Sequence, residues 1–204
     1  MGSIFAPLIH KHAMGRTVEF DEQAAIAKAM NVFWAKGYNG ASMRDLTAAM
    51  EINSSSLYNT IGDKQQLFRK CIRQYTQSRM ADIRAIAAAA PSPRQAIIAV
   101  IKDTADYTVN GTNSCLGIKT TFEIGAADAE VRAILQQGDD AFQAMLLHLV
   151  QAAMAAGEMD PAEDAAVVAG YIINSFTGWY ESYVLHHDLL KITKMADYLI
   201  RSLR

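Results

Sequence analysis

The sequence predicts an all-α protein of about nine helices. Ala, Met, Leu, Gln and Glu, which favour helices, are plentiful, whereas alternating valine-rich runs typical of strands are scarce. Apolar residues recur at intervals of three and four, and capping residues, glycines and prolines separate the periodic stretches. With 204 residues the chain is long enough for a full hydrophobic core, as one large domain or two small ones.

Two short helices are predicted close together near the N-terminus, after a first helix that Asp21 caps and that ends near Lys36, before Gly37. The spacing of Ser42 and Asp45 predicts a capping box at the start of the first short helix. The second opens on serines, which suit a helix N-terminus better than its interior. A helix, a tight turn and a second helix with a small polar leading edge predict a helix-turn-helix, whose second helix can enter a DNA major groove.

Six further helices are predicted in the rest of the chain, over residues 63–88, 93–109, 116–124, 128–157, 161–187 and 191–203. The first is capped by Asp63, and Asp160-Pro161 with Glu163 is a strong start signal for the fifth. We therefore expect a flexible leader at 1–14, a helix-turn-helix head at 15–62 and a helical body at 63–204. The helix from 63 is long enough to link head and body.

Formal charge is unevenly distributed along a chain whose net charge is −2. From Gly15 to Arg79 nine basic residues oppose six acidic ones, whereas from Met80 onward nine basic residues oppose fifteen acidic ones. This asymmetry is typical of a DNA-binding head on a body that does not bind DNA. A solvated surface can carry the same asymmetry, so it is only supporting evidence.

Several classes of protein are disfavoured. No apolar run reaches the roughly 18 residues needed to cross a membrane, so we expect no membrane association. The apolar piece at 4–9 has neither a basic leading segment nor a cleavage site, so we expect no secretory signal. Two cysteines form no disulfide framework, which favours a cytoplasmic protein. The histidine clusters at 10–12 and 186–187 lack the spaced carboxylates of a metal or catalytic site, so we expect no metal, no cofactor and no enzyme.

The span from Gly15 to Tyr75 resembles the N-terminal domain of the TetR/AcrR family of repressors. The residues that carry the resemblance are Phe33, Gly37, Tyr38, Ser42 and Leu46, and most specifically Ser56-Leu57-Tyr58, Gly62-Asp63-Lys64 and Leu67-Phe68. The resemblance implies a homodimer that binds a palindromic operator in double-stranded DNA and a small-molecule effector in its body. Glu51 stands where the family usually has Gly, and Ile61 where it usually has Phe. A left-handed Glu51 would cost about 1 kcal/mol.

The resemblance also implies a set of DNA contacts. These residues are Arg16, Ser42, Met43, Arg44, Ser54, Ser55, Ser56, Tyr58, Asn59 and Lys64. The serines can meet base edges or phosphates, Tyr58 and Asn59 can bond phosphate or bases, and Arg16 can reach a minor groove. The alternative interpretation is structural: the serines are caps, Tyr58 belongs to the core and Lys64 is merely solvated.

The body is predicted to dimerise and to bind the effector. The expected dimer residues are Gly170, Ile173, Thr177, Met195 and Leu199, and the expected effector residues are Tyr107, Cys115, Phe122, Phe142, Met145, Asn174, Trp179 and Tyr183. Core packing is the alternative for both sets. Cys115 begins a predicted helix, where the dipole favours a reactive thiolate, and Cys115-Leu116 with Glu123 resembles a TetR-like subgroup that includes electrophile and oxidant sensors. Packing is the alternative for Cys115, and we interpret Cys71 as packing.

The sequence therefore favours a repressor that releases DNA when an effector binds or when Cys115 is modified. Two other classes stay open. One is a helical adaptor that keeps this fold without binding DNA, which the acidic Glu51 in the turn favours. The other is a helical enzyme, which would need a metal or catalytic cluster around the histidines.

Overall fold

The computed structural model describes residues 21–110 and 115–203. Within these ranges the chain forms nine α-helices and no strand, which confirms the all-α prediction. The helices are α1 Glu22–Gly40, α2 Met43–Met50, α3 Ser54–Thr60, α4 Lys64–Ala88, α5 Pro93–Asn110, α6 Leu116–Thr120, α7 Ala129–Ala155, α8 Ala165–His186 and α9 Leu189–Ser202. A π-helical stretch, Thr121–Gly125, continues α6 and is called the π segment below. The predicted leader and Arg16 lie outside the described residues.

Local capping explains where most helices begin. Asp21 accepts a hydrogen bond from the Ala24 N–H at 3.1 Å, and Asp63 accepts one from the Gln66 N–H at 2.8 Å. Ser42 and Asp45 form the predicted capping box, because each side chain accepts the other residue's backbone N–H. These contacts confirm the predicted starts of α1, α2 and α4.

Two helix boundaries differ from the prediction by four residues. Helix α1 does not end at Gly37: the glycine, at φ 74° and ψ 173°, interrupts the helix, which then continues to Gly40. Helix α8 begins at Ala165 under an Asp164 cap, not at Asp160. The Asp160 carboxylate instead accepts the Ala162 N–H at 2.9 Å within a turn, so the expected cap stabilises the turn before the helix.

The described residues pack into two hydrophobic cores. The first core joins α1, α2, α3 and the first half of α4 to α6, the π segment and the start of α7. The second core joins the end of α4 to α5, α8, α9 and the rest of α7. The head is therefore not packed on itself alone, because Leu116, Ile124 and Val131 from beyond α5 complete its core.

Helix α4 contributes to both cores. Its 25 residues extend for roughly 37 Å at the usual helical rise. Leu67 and Phe68 are buried in the first core, whereas Ile83 is buried in the second. No helix among the described residues is long and apolar enough to span a bilayer.

Candidate functional site

Helix α3 turns a polar face outward. Leu57 is fully buried and holds α3 on the first core, while the Asn53 side chain caps the helix by accepting the Ser56 N–H at 2.8 Å. Tyr58 is 56% exposed, so this tyrosine is not a core residue. The structure places Ser54, Ser55, Tyr58 and Asn59 on the exposed surface and Ser56 half-buried.

Helix α2 supports this surface. Ser42 and Arg44 are exposed, and Met43 is half-buried against the first core. The Ser42 hydroxyl donates to the Asp45 carboxylate at 2.7 Å, so Ser42 already serves as the helix cap. Asp45 in turn pairs with Lys36 at 2.7 Å, which ties α2 to α1.

Two cations near α3 have no acidic partner in the described chain. No ion pair joins Arg44 or Lys64 to another described residue, whereas Lys28 pairs with Glu51 at 3.0 Å. The Lys64 ammonium lies 4.7 Å from the centre of the Tyr38 ring, a cation–π distance. Arg44 and Lys64 are therefore available to bind phosphate groups.

Glu51 adopts the left-handed conformation considered from the sequence, with φ 59° and ψ 36°. Its exposed carboxylate faces Lys28, so part of the negative charge at this turn is neutralised. Both side chains are well exposed, and such pairs contribute little to stability.

A cavity of about 860 Å³ lies where the two cores meet. Tyr75, Tyr107 and Cys115 belong to or pack against the first core, whereas Ile83, Phe142 and Phe176 belong to or pack against the second. All six line the cavity. A molecule bound here would touch both cores at once.

The tyrosines and the thiol in the cavity form a chain of polar contacts. The Tyr107 hydroxyl donates to the Tyr75 hydroxyl at 3.4 Å, and the Tyr75 hydroxyl lies 3.3 Å from the Cys115 Sγ. The Arg79 guanidinium lies 4.3 Å from the centre of the Tyr107 ring and also pairs with Asp103. Burial raises the pKa of Tyr75 well above its usual value and also raises the pKa of Tyr107, so both phenols stay protonated and Tyr75 can donate to a ligand.

Three of the predicted effector residues line this cavity: Tyr107, Cys115 and Phe142. Tyr75, Arg79 and Phe176 also line the cavity, although they are not among the predicted effector residues. The one available signal was Arg79, a charged residue one helical turn after the apolar position of Tyr75.

The structure does not bring the other predicted effector residues to the cavity wall. They are Phe122, Met145, Asn174, Trp179 and Tyr183. Phe122 is 74% exposed, and Asn174 is exposed and donates to the Gly170 carbonyl of its own helix. Trp179 is buried in the second core, Met145 packs against that core, and the Tyr183 hydroxyl donates to the Val109 carbonyl at 2.9 Å.

Large apolar side chains are exposed along α8 and α9. This α8–α9 patch consists of Val167, Tyr171, Val184, Leu185, Leu189, Leu190, Met195 and Tyr198. Of the predicted dimer residues, Met195 lies in the patch and Gly170 faces open space. Leu199 is buried in the second core, and Ile173 and Thr177 line the cavity instead. Exposed apolar patches of this kind mark interaction surfaces.

In the described parts of the chain no group of three or more His, Cys, Asp or Glu side chains is placed to hold a metal ion. His10 and His12 lie outside those parts. The contact of His187 with the Tyr183 ring, at 5.6 Å between centroids, is a packing contact at the end of α8.

A helix-turn-helix with an exposed polar face, joined to an all-helical body with a large cavity, defines the class of helix-turn-helix transcriptional regulators. Residues 25–71 match the family described as "Bacterial regulatory proteins, tetR family". Residues 91–199 match "Tetracyclin repressor-like, C-terminal domain". The chain belongs to the TetR family.

Individual relatives agree with this assignment. The chain is 27% identical over 165 residues to the uncharacterized HTH-type transcriptional regulator YezE of Bacillus subtilis, covering 79% of this chain and 85% of YezE. It is 38% identical over 65 residues to the HTH-type transcriptional repressor ComR of Escherichia coli, covering 32% and 31% of the two chains. Its fold resembles a cysteine variant of the TetR family regulator CifR bound to a 26-bp operator, with a TM-score of 0.81, 24% identity and coverage of 93% and 100%.

Proposed function

We propose that this TetR family regulator is a homodimeric repressor that releases its operator when the cavity is occupied or Cys115 is modified. The observation that carries the proposal is the exposed face of α3, flanked by two cations without acidic partners in the described chain and held by a core that also forms one wall of the cavity. One structural unit can therefore bind DNA and respond to a ligand.

The DNA-binding step relies on α3 entering a major groove. Ser54, Ser55 and Asn59 can meet base edges there, while Tyr58 can bond a phosphate. Arg44 and Lys64 supply the charge that neutralises the backbone on either side. Two heads in a dimer would contact half-sites about one helical turn apart, which calls for a palindromic operator in double-stranded DNA.

The release step follows from the position of the cavity. Its volume of about 860 Å³ falls within the range of small-molecule sites, and its walls combine apolar side chains with a few hydroxyl groups. A ligand that prefers one spacing of the two cores and an operator that prefers another must each weaken the other's binding. We therefore expect a small amphiphilic effector.

Cys115 is the cysteine that a reagent can reach. It is half-buried in the cavity wall, whereas Cys71 is fully buried and its thiol donates to the Ile26 carbonyl at 3.6 Å. Burial raises the pKa of Cys71 to about 12, which suppresses its thiolate. An oxidant or electrophile would thus act on Cys115, within the same cavity. Two free cysteines and a DNA-binding role together support a cytoplasmic location.

The proposal is tested with an operator selected by the wild-type protein from a random DNA pool. We expect the selected sites to be palindromic. Lys64→Ala should weaken binding to all sequences alike and lower the slope of log affinity against log salt by about one, because one phosphate contact is lost. Lys102→Ala, an exposed lysine on α5, is the matched control and should leave both quantities unchanged.

The alternative is an adaptor of the same fold. It would be favoured if no sequence were enriched at any salt concentration, or if Lys64→Ala and Tyr58→Phe both bound the selected site as tightly as the wild type. Tyr58→Phe removes only the phenolic hydroxyl, so its effect measures the phosphate bond without disturbing the packing of α3.

A further inference from the structure

Helix α1 is interrupted at a particular hydrogen bond. In a continuous α-helix the N–H of residue 38 would donate to the carbonyl of residue 34. Gly37, at φ 74° and ψ 173°, lies between these groups and directs the chain away from helical geometry. The interruption leaves the end of α1 dependent on partners from elsewhere in the fold.

Two side chains of the body bind these groups. The Lys119 ammonium donates to the Trp34 carbonyl at 2.8 Å. The Glu123 carboxylate accepts the Tyr38 N–H at 3.0 Å and the Asn39 N–H at 2.9 Å. Lys119 lies on α6 and Glu123 on the π segment, four residues apart, so one short stretch of the body holds both sides of the break.

The fit around the break is tight. A Cβ atom at position 37 would lie 2.8 Å from both carboxylate oxygens of Glu123, closer than such atoms approach. Glycine is thus needed here for its backbone conformation and for the close approach of the carboxylate.

The same stretch of the body forms part of the cavity wall. Gly117, Ile118, Thr121 and Gly125 line the cavity. The Trp34 ring also packs edge-on against the cavity residue Tyr75, with 5.2 Å between ring centroids. Helix α1 is therefore in contact with the cavity wall at the point where Lys119 and Glu123 hold it.

We propose that Lys119 and Glu123 form a two-point clamp on the α1 break, through which occupancy of the cavity moves the helix-turn-helix. Glu123 acts as a positioning residue, because it touches α1 and not DNA. A π-helical turn can shift its register, and such a shift in the π segment would move the Glu123 carboxylate relative to α6. Helix α1 would transmit the movement to α2, to which the Lys36–Asp45 pair joins it. The effect of the clamp on operator binding rests on the proposed function.

The clamp can be tested without DNA by hydrogen exchange at the Tyr38 and Asn39 amides. Glu123→Ala should speed exchange at both amides at least tenfold, and the conservative Glu123→Gln should speed it less, because the amide oxygen can still accept one bond. Glu163→Gln, at an exposed position in the turn before α8, is the matched control. Unchanged exchange in the folded Glu123 variants would overturn the clamp.

The coupling is tested with iodoacetamide as the probe, with complete single labelling of Cys115 verified by mass spectrometry. The added acetamide occupies the cavity, and we expect exchange at Tyr38 and Asn39 in the wild type to rise at least fivefold, with the distant amides of α9 unaffected. No change at the two amides of the labelled protein would overturn the coupling. Both measurements are independent of operator selection, so failure of the clamp and failure of the repressor proposal give different results.

Operator binding distinguishes the proposed clamp from a merely structural role for Glu123. On the wild-type operator we expect labelling of Cys115 to weaken binding at least tenfold in the wild type and less than threefold in Glu123→Gln. If the folded fraction of Glu123→Gln binds the operator and responds to labelling as the wild type does, Glu123 only stabilises the fold and the proposal is wrong.

Discussion

Gly37 is needed for the backbone conformation of α1, for the close packing of Glu123 and for the proposed regulation. Its φ of 74° with ψ near 180° belongs to a region that only glycine occupies freely. Its missing side chain makes room for Glu123. Gly40, three residues on, ends α1 without a positive φ, and a Cβ there would meet only the Lys36 Cβ at 3.7 Å.

The two glycines allow a matched comparison. We expect Gly37→Ala to lower the free energy of unfolding by about 2–4 kcal/mol, because backbone strain of about 1–3 kcal/mol adds to the displacement of Glu123. Gly40→Ala should change it by less than about 1 kcal/mol. Urea denaturation measures both. Equal effects of the two substitutions would show that the break at Gly37 carries no special strain.

At the scale of the element, α7 depends on Asp128 for two separate functions. Its carboxylate caps α7 by accepting the Glu130 and Val131 N–H groups at 3.0 and 3.1 Å. It also accepts hydrogen bonds from Gln65 and Arg69 of α4, at 2.8 and 3.1 Å. Burial opposes ionisation, but these donors and the Arg69 charge outweigh it and lower the pKa of Asp128 to about 2.

The pH dependence of stability follows from this lowered pKa. Because Asp128 ionises more readily in the folded chain than at its unfolded value near 3.9, its contribution is complete above that pH and is lost as pH falls toward 2. Asp128→Asn should lower the free energy of unfolding by about 2 kcal/mol at pH 6. The difference from the wild type should shrink between pH 4 and pH 2.5, as followed by urea denaturation.

Asp164 provides the control for this prediction. It caps α8 as Asp128 caps α7, by accepting the N–H groups two and three residues further on, here those of Ala166 and Val167. It makes no ion pair with another described residue. Asp164→Asn should cost less than about 1 kcal/mol, because asparagine is an equally good cap. If Asp164→Asn lost as much stability as Asp128→Asn, the capping bonds and not the link to α4 would account for the effect.

The same elements show what the sequence could predict. Caps at Asp21, Ser42 and Asp63 were predictable because a cap and its N–H partner lie within three residues. Asp160 misled the prediction because an aspartate can stabilise a turn as well as a helix start. The partners of Glu123 lie 84 and 85 residues away in sequence, and no local pattern specifies them.

The candidate site likewise has one part that the local sequence predicts and another that depends on how the helices pack. Ser54, Ser55, Tyr58 and Asn59 are exposed because α3 is one short helix with Leu57 as its buried side, so their exposure could be predicted locally. The cavity wall comes from five separate helices and the π segment, and its position depends on how they pack. Apolar periodicity alone cannot separate a residue that lines a cavity, such as Phe142, from one buried beside it, such as Trp179.

At the scale of the whole molecule, the two cores meet at a cavity in place of a continuous packed interface. A ligand-free cavity forgoes packing contacts that a filled core would make, so occupancy should stabilise the chain. Because α4 and α7 both enter the two cores, any change in the spacing of the cores has to be accommodated along these two helices or at the clamp. Under the proposed function, we therefore expect the head to move between two discrete positions and not to deform gradually.

The α8–α9 patch extends this reasoning to the assembly. Tyr171 and Tyr198 are 59% and 67% exposed and line a groove between α8 and α9. Phenol rings in such a position gain most when a second apolar surface covers them. A two-fold contact would place the same patch of a second copy against this one, which is the commonest geometry of homodimers.

The dimer prediction is tested by charging this patch. We expect the wild type to sediment as a dimer and Tyr171→Glu/Tyr198→Glu as a monomer, because the two carboxylates would be buried in the interface without partners. Losing the second head should weaken operator binding by about 100-fold or more. Phe122→Glu is the control for the sedimentation measurement alone, since Phe122 is more exposed, at 74%, but lies on the π segment and outside the α8–α9 patch. A wild type that sediments as a monomer, or a double variant that still dimerises, would place the interface elsewhere.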